Sequence, residues 1–591
     1  MKYLLNVVFL FCIIVYPTFG QSPVSLQIIS PKRVIAIPSD FNGLSLEIGS
    51  LRSGNGGTSG NMFDDSTTWP ANLHLQVVSL FRELGLKNIR VGGGSVDVNT
   101  VAPTNNDIDA FFRFTKAING DVIYSVRLLN GNITDDTNIV KYVWNNYKQY
   151  IKCFAIGNEP DWNSYHKQDP AITDYPSYLS DWRKFAAAIT TAEPEVKFGG
   201  PDTGSNYPVP GAGSTFYNST SWTNLFANDE KSSGIVNSIF LHNYVGQGAP
   251  SVGSGVSIQQ MIGEMLSTTW DNFYYPALYN STCAQLLQAG YAYRLTESNS
   301  FSGYRSGGSN SFATALFALD YLHWWAAHGA AGVNFHNKQW VGNGPIYLDA
   351  NGNYQTYPVG YGIKAFDLGG HGVVDSVAIT NSDNLNITAY AVQDTNNLYV
   401  TIINKEHGLG MRDAKISIIA NGYPDSASVM YLNVPDSNVA DTTGVLLGNS
   451  AITNTGWQGV WSPIDSINSS TYFVTVPASS AAIVKIKGTI TSVLERPNLP
   501  NNFKLYQNYP NPFNPSTTIH FSIPERGFVT LKVYNILGQE VATLFSGFRN
   551  AGVYKVNFNA STANGGLSSG VYFYHLESNG FSGTKKMVLM K

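Results

Sequence analysis

Cysteine is nearly missing, with three in 591 residues, and one of these, Cys12, lies in the apolar N-terminal run. The remaining pair, Cys153 and Cys283, excludes a disulfide-stapled scaffold in a chain of this size. Neither has the Cys/His spacing of a zinc site, so no metal is implied. Charge is also scarce. Charged residues make up 13% of the chain and the formal net charge is -4. There is no basic field for a nucleic-acid backbone and no polybasic segment for an anionic membrane, so both partners are disfavoured. No glycine-rich nucleotide loop follows a strand, so no cofactor is implied. The one marked apolar run, Leu4 to Tyr16, falls short of the roughly 20 residues a spanning helix needs. Preceded by Lys2 and followed by Pro17-Thr-Phe-Gly20, it reads as a signal peptide over 1–20, with the mature chain starting at Gln21 and carrying no membrane span.

Hydrophobic residues make up 43% of the chain, enough for large packed cores, and the length predicts two to four domains. From Phe41 to Asp367 short apolar runs alternate with helix-period segments, the pattern of βα units around a parallel sheet. Eight strand candidates occur, at 41–49, 87–93, 121–129, 151–159, 196–202, 237–244, 293–299 and 332–337. Eight is the number that closes a (β/α)8 TIM barrel, expected over 37–370. Leu73, Val77, Leu80, Phe81 and Leu84, stopped by Gly85, predict a helix, and Phe312 to His328, stopped by Gly329, another. Phe111 to Lys116 and Ile139 to Tyr147 predict shorter ones. A doubly wound sheet would use similar units, but the count of eight and the polar strand ends favour closure.

After Gly370 the texture changes to alternating strands with turn residues between them, predicting an antiparallel β-sandwich over 371–488. Residues 21–36 can add an N-terminal strand or two to it. Pro497 and Pro500 with polar neighbours mark 489–501 as a linker. A small all-β module is expected over 502–591. This stretch closely resembles the type A sorting domain of the type IX secretion system. The resemblance rests on Tyr509-Pro-Asn-Pro-Phe-Asn-Pro515, Gly538-Gln-Glu540, Ser569-Gly-Val-Tyr-Phe-Tyr574 and Lys585-Lys586. It implies the type IX machinery as a partner and export from a Gram-negative type bacterium, via the periplasm, to the cell surface or beyond.

In a parallel barrel the reacting groups sit at the C-terminal strand ends. Glu159 ends the fourth candidate strand, before Pro160, and Glu297 ends the seventh. Cleaving a glycosidic bond with retention needs one carboxyl to protonate the departing oxygen and a second, about 5–5.5 Å away, to attack the anomeric carbon. A lone strand-end glutamate is as readily a structural ion pair or a helix cap. Two of them, in Asn-Glu-Pro and Leu-Thr-Glu-Ser contexts, favour chemistry.

Residues 26–488 resemble glycoside hydrolase family 79, the β-glucuronidase and heparanase group. The matching motifs are Phe41-Asn-Gly-Leu-Ser-Leu-Glu47, Ile89-Arg-Val-Gly-Gly-Gly-Ser95, Phe154-Ala-Ile-Gly-Asn-Glu-Pro160, His242-Asn-Tyr244, Leu295-Thr-Glu-Ser-Asn299 and Gly332-Val-Asn-Phe-His336. The resemblance implies Glu159 as acid/base and Glu297 as nucleophile. It implies Asn158 on the sugar 2-hydroxyl, Tyr244 as a phenol donating to the nucleophile, and Arg90 keeping that nucleophile charged. Glu47 and Ser95 would meet the outer hydroxyls of the non-reducing sugar. A uronate carboxylate would be held after strands seven and eight, where Ser302-Gly303-Tyr304 and Tyr347 are the nearest matches. Phe301-Ser-Gly-Tyr304 departs there from the family's commoner Tyr-Gly-Gly, and Arg305, Lys338 and His336 are possible cationic substitutes.

The expected activity is therefore retaining exo-hydrolysis of terminal β-linked glucuronic acid from glycans or polysaccharides. An endo-acting, heparanase-like β-glucuronidase would need basic clusters flanking a cleft for sulfates, and none is evident. A non-catalytic carbohydrate-binding surface protein would have no need of an acid paired with a nucleophile.

Overall fold

The computed structural model describes residues 24–590 except 30–34, 53–61, 64, 66–72, 98–100, 162–174, 205–217, 247–255, 338–341, 422, 424–425, 465, 469, 489–502, 524–526, 550–551, 562, 564–565 and 579–580. The signal peptide read over 1–20, the linker read over 489–501, and Lys338 lie outside the described residues.

Strand β1 (Val24–Ile29) is followed by β2 (Asn42–Glu47), β3 (Asn88–Gly92), β4 (Asp121–Val126), β5 (Ile151–Ile156), β6 (Phe198–Thr203), β7 (Val236–Gly246), β8 (Ala292–Phe301) and β9 (Val333–His336). The eight strands β2 to β9 close in sequence order into a parallel barrel, with helices between them as the alternation of apolar runs predicts. Along each strand the side chains alternate. Leu44, Leu46, Ile89, Val91, Ile239 and Leu241 pack outward with the helices, whereas Ser45, Arg90 and His242 meet polar partners inside the barrel. Cysteine finds its place here, with Cys153 packed in a small cluster with Ile123, Ala155 and Phe240.

Several barrel pairings shift register, and two of the shifts fall near the C-terminal ends of β6 and β8. Strands β7 and β8 pair as far as Leu241 opposite Leu295 and resume with His242 opposite Glu297, so Thr296 is extra. Strands β6 and β7 pair Pro201 with Phe240 and then Thr203 with Leu241, so Asp202 is extra. Such bulges break the two-residue alternation and re-aim side chains. Thr296 and Glu297 consequently both reach polar partners inside the barrel.

The helices outrun the sequence reading at their N-termini. Helices Asn105–Ile118 and Ile133–Tyr147 begin six residues before the expected starts at Phe111 and Ile139. Their first turns are polar and show no apolar period, and are held instead by caps: Thr104 and Asp107 form a capping box, and Asn132 accepts from Thr134 and Asp135 N–H. Helix Ala313–Ala327 is buried almost throughout. It packs on helix Pro358–Gly369 and meets the sandwich through Asp320, which accepts from Thr388 and Tyr390 hydroxyls at 2.7 Å each. A helix covered on all sides has no polar face.

Strands from Val373 to Lys487 form the sandwich, and Val373–Asn381 belongs to both of its sheets. Strand β1 enters it antiparallel to Val373–Asn381 and parallel to Ala414–Ile419. The expected sandwich thus takes in a parallel pair where β1 joins it, among the described residues. A strand arriving from before the barrel is no hairpin neighbour, and no tight turn dictates its direction. The C-terminal module has its own core, built from Ile519, Phe521, Leu531, Tyr574 and Met587 among others, between a three-stranded and a four-stranded sheet.

Candidate active site

Arg90, on β3, is fully buried inside the barrel. Its Nη1 donates to Glu297 Oε2 at 2.9 Å and Ser45 Oγ at 3.1 Å, and its Nη2 to Asn158 Oδ1 at 2.6 Å and Asp202 Oδ2 at 3.0 Å. One planar guanidinium thus ties together four strands or strand ends, a role its fixed fork of donors suits better than a lysine would. Glu297 receives a second donor on its other oxygen, the Tyr244 hydroxyl at 2.6 Å. His336 lies between two carboxylates, with Nδ1 3.6 Å from Glu297 Oε2 and Nε2 3.6 Å from Glu47 Oε1. Both of its ring nitrogens are buried without a hydrogen-bond partner.

Glu159 follows β5 in a left-handed backbone conformation, φ 45°, after Gly157 at φ 83°. A non-glycine residue there carries strain, which the surroundings must hold in place. Two contacts do so: Glu159 N–H donates to Asp202 O at 2.9 Å, and Asn158 N–H to the buried Asp97 Oδ2 at 2.8 Å. The side chain pairs with His242, whose Nδ1 is 2.8 Å from Glu159 Oε1. On the ring's other side Nε2 faces Asp202 Oδ1 at 3.4 Å, an ion-pair distance rather than a well-formed hydrogen bond.

A carboxylate oxygen of Glu159, one of Glu297 and a ring nitrogen of His242 all lie within 4.8 Å of one another. Chemically this trio could ligate a cation. Its atoms, however, are engaged with each other and with Arg90 and Tyr244, an arrangement that serves proton traffic.

The surroundings drive the two carboxyls apart. Burial raises Glu159 above its ordinary value, with His242 opposing it only in part. Burial acts on Glu297 in the same sense, but there His336, His242 and Arg90 outweigh it and hold the group at about 2. Burial disfavours a charged His242, yet Glu297, Asp202 and Glu159 keep it protonated up to about 10. Burial and the charge of Glu297 push the Tyr244 hydroxyl well up, so it stays a donor. The two carboxyls are thus shifted in opposite directions, Glu159 towards the protonated form and Glu297 towards the ionised one, the division of labour an acid and a nucleophile require.

The structure thus brings Glu159, Glu297, Asn158, Tyr244 and Arg90 together, with Glu47 and His336 alongside. Ser95 takes part through its backbone, whose N–H donates to Glu47 Oε2 at 2.8 Å. Gly93 turns the chain under that carboxylate at φ 65°, where a Cβ would come within 2.5 Å of Glu47 Oε2. Tyr304 packs against Gly342, and Tyr347 stacks on Tyr357 at 3.8 Å. Four residues escaped the sequence reading of the site. His242 stood only inside a motif, and Asp202, Thr296 and Asp97 were not singled out. Asp202 and Thr296 are both bulge residues, and nothing in the apolar alternation marks a bulge.

A family model for the secretion system C-terminal sorting domain matches residues 507–590. The protein is accordingly a secreted or cell-surface one. A comparison with curated proteins finds no match. Among solved structures the chain is similar to a family 51 α-L-arabinofuranosidase from Bifidobacterium longum, with TM-score 0.57 and 15% identity over 79% of this chain and 100% of that one. It is similar also to a 4-O-α-L-rhamnosyl-β-D-glucuronidase from Fusarium oxysporum, with TM-score 0.57 and 14% identity over 78% and 100%. An α-L-arabinofuranosidase from Thermotoga maritima gives 0.55 and 13% over 78% and 100%. At such identities the likeness shows the fold alone: a TIM barrel with a β-sandwich, followed by the sorting domain.

Proposed function

We propose that the protein is a secreted retaining exo-β-glycosidase that removes terminal β-linked glucuronic acid from glycans or polysaccharides. One observation carries the glycosidase reading: two buried carboxyls with oxygens within 4.8 Å whose surroundings push their protonation in opposite directions. That spacing suits direct attack by one carboxylate and leaves less room than the roughly 6.5–9.5 Å an inverting pair needs for its water. Glu159 protonates the glycosidic oxygen as Glu297 attacks the anomeric carbon. Water then releases the sugar, with Glu159 acting as base. Arg90 and Tyr244 orient the nucleophile, and Asn158 meets the 2-hydroxyl.

The uronide assignment is supported by the motif resemblance over 26–488 and by the likeness to the Fusarium oxysporum glucuronidase. A C6 carboxylate held by several charge-assisted hydrogen bonds, each about 1.5–3 kcal/mol, implies discrimination on the order of a hundredfold or more over a hydroxymethyl. The test is a panel of aryl glycosides assayed for kcat/KM. Aryl β-D-glucuronide should exceed β-D-glucoside by at least that factor, with little action on internal linkages of sulfated chains. Equal rates on the two would refute the uronide reading. An α-L-arabinofuranoside cleaved best would favour the activity named for the Bifidobacterium longum and Thermotoga maritima proteins.

A further inference from the structure

Asp202 is 1% exposed and lies beneath the two carboxyls. Its Oδ2 accepts from Arg90 Nη2 at 3.0 Å, while Oδ1 takes the Thr296 hydroxyl and faces His242 Nε2 at 3.4 Å. Its two cationic partners diverge from there. Arg90 goes to Glu297 at 2.9 Å and His242 to Glu159 at 2.8 Å. A continuous chain of contacts therefore runs Glu159, His242, Asp202, Arg90, Glu297, with Asp202 at its middle. Three charges buried this deeply cost several kcal/mol apiece unless they are paired. A histidine beside Glu159 and an arginine beside Glu297 would suffice for two local contacts, and a third acidic residue at the centre then needs a reason.

The reason lies in the charge count. With Glu159 protonated, as its role as acid requires before the first step, and Glu297 ionised, the charges of Arg90, His242, Asp202 and the two glutamates sum to zero. We propose that Asp202 is a positioning residue that tethers one cation beneath each catalytic carboxyl, so that a single negative charge passes from Glu297 to Glu159 and back without changing the net charge of the buried set. The proposal rests on the double-displacement reading above. In the first step a Glu297 oxygen forms a bond to the anomeric carbon and the glycosidic C–O bond breaks. Its electron pair stays on the leaving oxygen, which takes the proton of Glu159. Glu297 is now a neutral ester and Glu159 an anion, against which His242 already lies. In the second step Glu159 takes a proton from water, the hydroxyl oxygen bonds the anomeric carbon, and the ester bond breaks to return the charge to Glu297 above Arg90. Both steps begin and end at zero. Preorganised charges that need no rearrangement at the moment of reaction are the most effective form of electrostatic catalysis.

His242 is faced by Glu159 after β5, by Asp202 on β6 and by Glu297 on β8, and Arg90 reaches the last two. Removing the negative charge of Asp202 therefore eases proton loss from the pair of His242 and Glu159, and the basic limb of the pH profile should move to lower pH.

The experiment uses the full chain with ¹⁵N-labelled histidine, the His242 signal being assigned by its loss in His242→Gln. In the wild type both ring nitrogens should remain protonated at pH 8. In Asp202→Asn the midpoint should fall by about one pH unit or more, a tenfold or greater loss of proton affinity. The basic limb of kcat/KM on an aryl glycoside should fall with it, and in a His242→Gln background the same substitution should leave that limb in place. A wild-type His242 already neutral at pH 8 would overturn the proposal without any variant. So would a folded Asp202→Asn that lowers the rate equally at every pH, since a merely structural aspartate behaves that way. A wild type inactive on every glycoside would instead remove the double-displacement reading, while the histidine signal would still decide whether Asp202 holds the cation.

Discussion

Replacing Arg90 with methionine keeps an unbranched apolar stem, shortened by two atoms, while removing the cation and every donor. Arg90 is fully buried, and two of its four partners are the carboxylates Glu297 and Asp202. Breaking such a pair leaves uncompensated buried charge, at about 3–5 kcal/mol. A second consequence is specific to Glu297. The distance between its ordinary value of 4.5 and about 2 corresponds to a few kcal/mol, at about 1.4 kcal/mol per pH unit. Three basic side chains share the lowering, His336, His242 and Arg90, so loss of one should raise Glu297 by about one pH unit. Because the folded value is depressed, the stabilisation is present above about 4.5 and is lost as pH falls towards 2. The variant surrenders part of it. The acid limb of kcat/KM should therefore rise by about one pH unit, and urea unfolding at neutral pH should show a loss of about 3–5 kcal/mol. An acid limb that stays in place in a folded variant would show that Arg90 does not hold the nucleophile ionised.

Three further outcomes are expected. Glu297→Ala should be nearly inactive and be rescued by azide on an activated β-glycoside to give the α-glycosyl azide, whereas Glu159→Ala should give the β-azide; product NMR reads the anomers, and reversed anomers would exchange the two roles. Deleting 502–591 should leave the specific activity of the purified enzyme intact and abolish delivery to the surface in a host with the type IX system, whereas loss of the fold would show that the module supports the barrel. At the seam between barrel and sandwich, Lys405 pairs with Asp271 and, at 3.0 Å, with Asp320, Lys405 and Asp320 buried and Asp271 partly so; Lys405→Met should cost about 3–5 kcal/mol in urea unfolding, and a change below about 1 kcal/mol, the range of exposed pairs, would contradict that pairing.

Sequence by itself determined the architecture, because architecture follows from periodicity. Eight apolar runs separated by helical periods can be satisfied by a closed parallel sheet, and the change to strict alternation after Gly370 marks where that sheet gives way to a sandwich. The motifs of the last 90 or so residues likewise identify the sorting domain, which the match over 507–590 bears out. Glu159 and Glu297 could be singled out because strand ends are visible in a sequence. Their approach to each other could not, since it depends on closure bringing the ends of β5 and β8 to one mouth. The bulges were equally hidden. Adding Thr296 to β8 and Asp202 to β6 leaves the apolar pattern readable while re-aiming the polar residues, so Glu297 reaches Arg90 and Asp202 meets both cations only in the folded barrel. The protonation of the site was decided there too. A glutamate is the same residue wherever it stands in a sequence, and only burial and the distance to neighbouring charges separate Glu159 from Glu297.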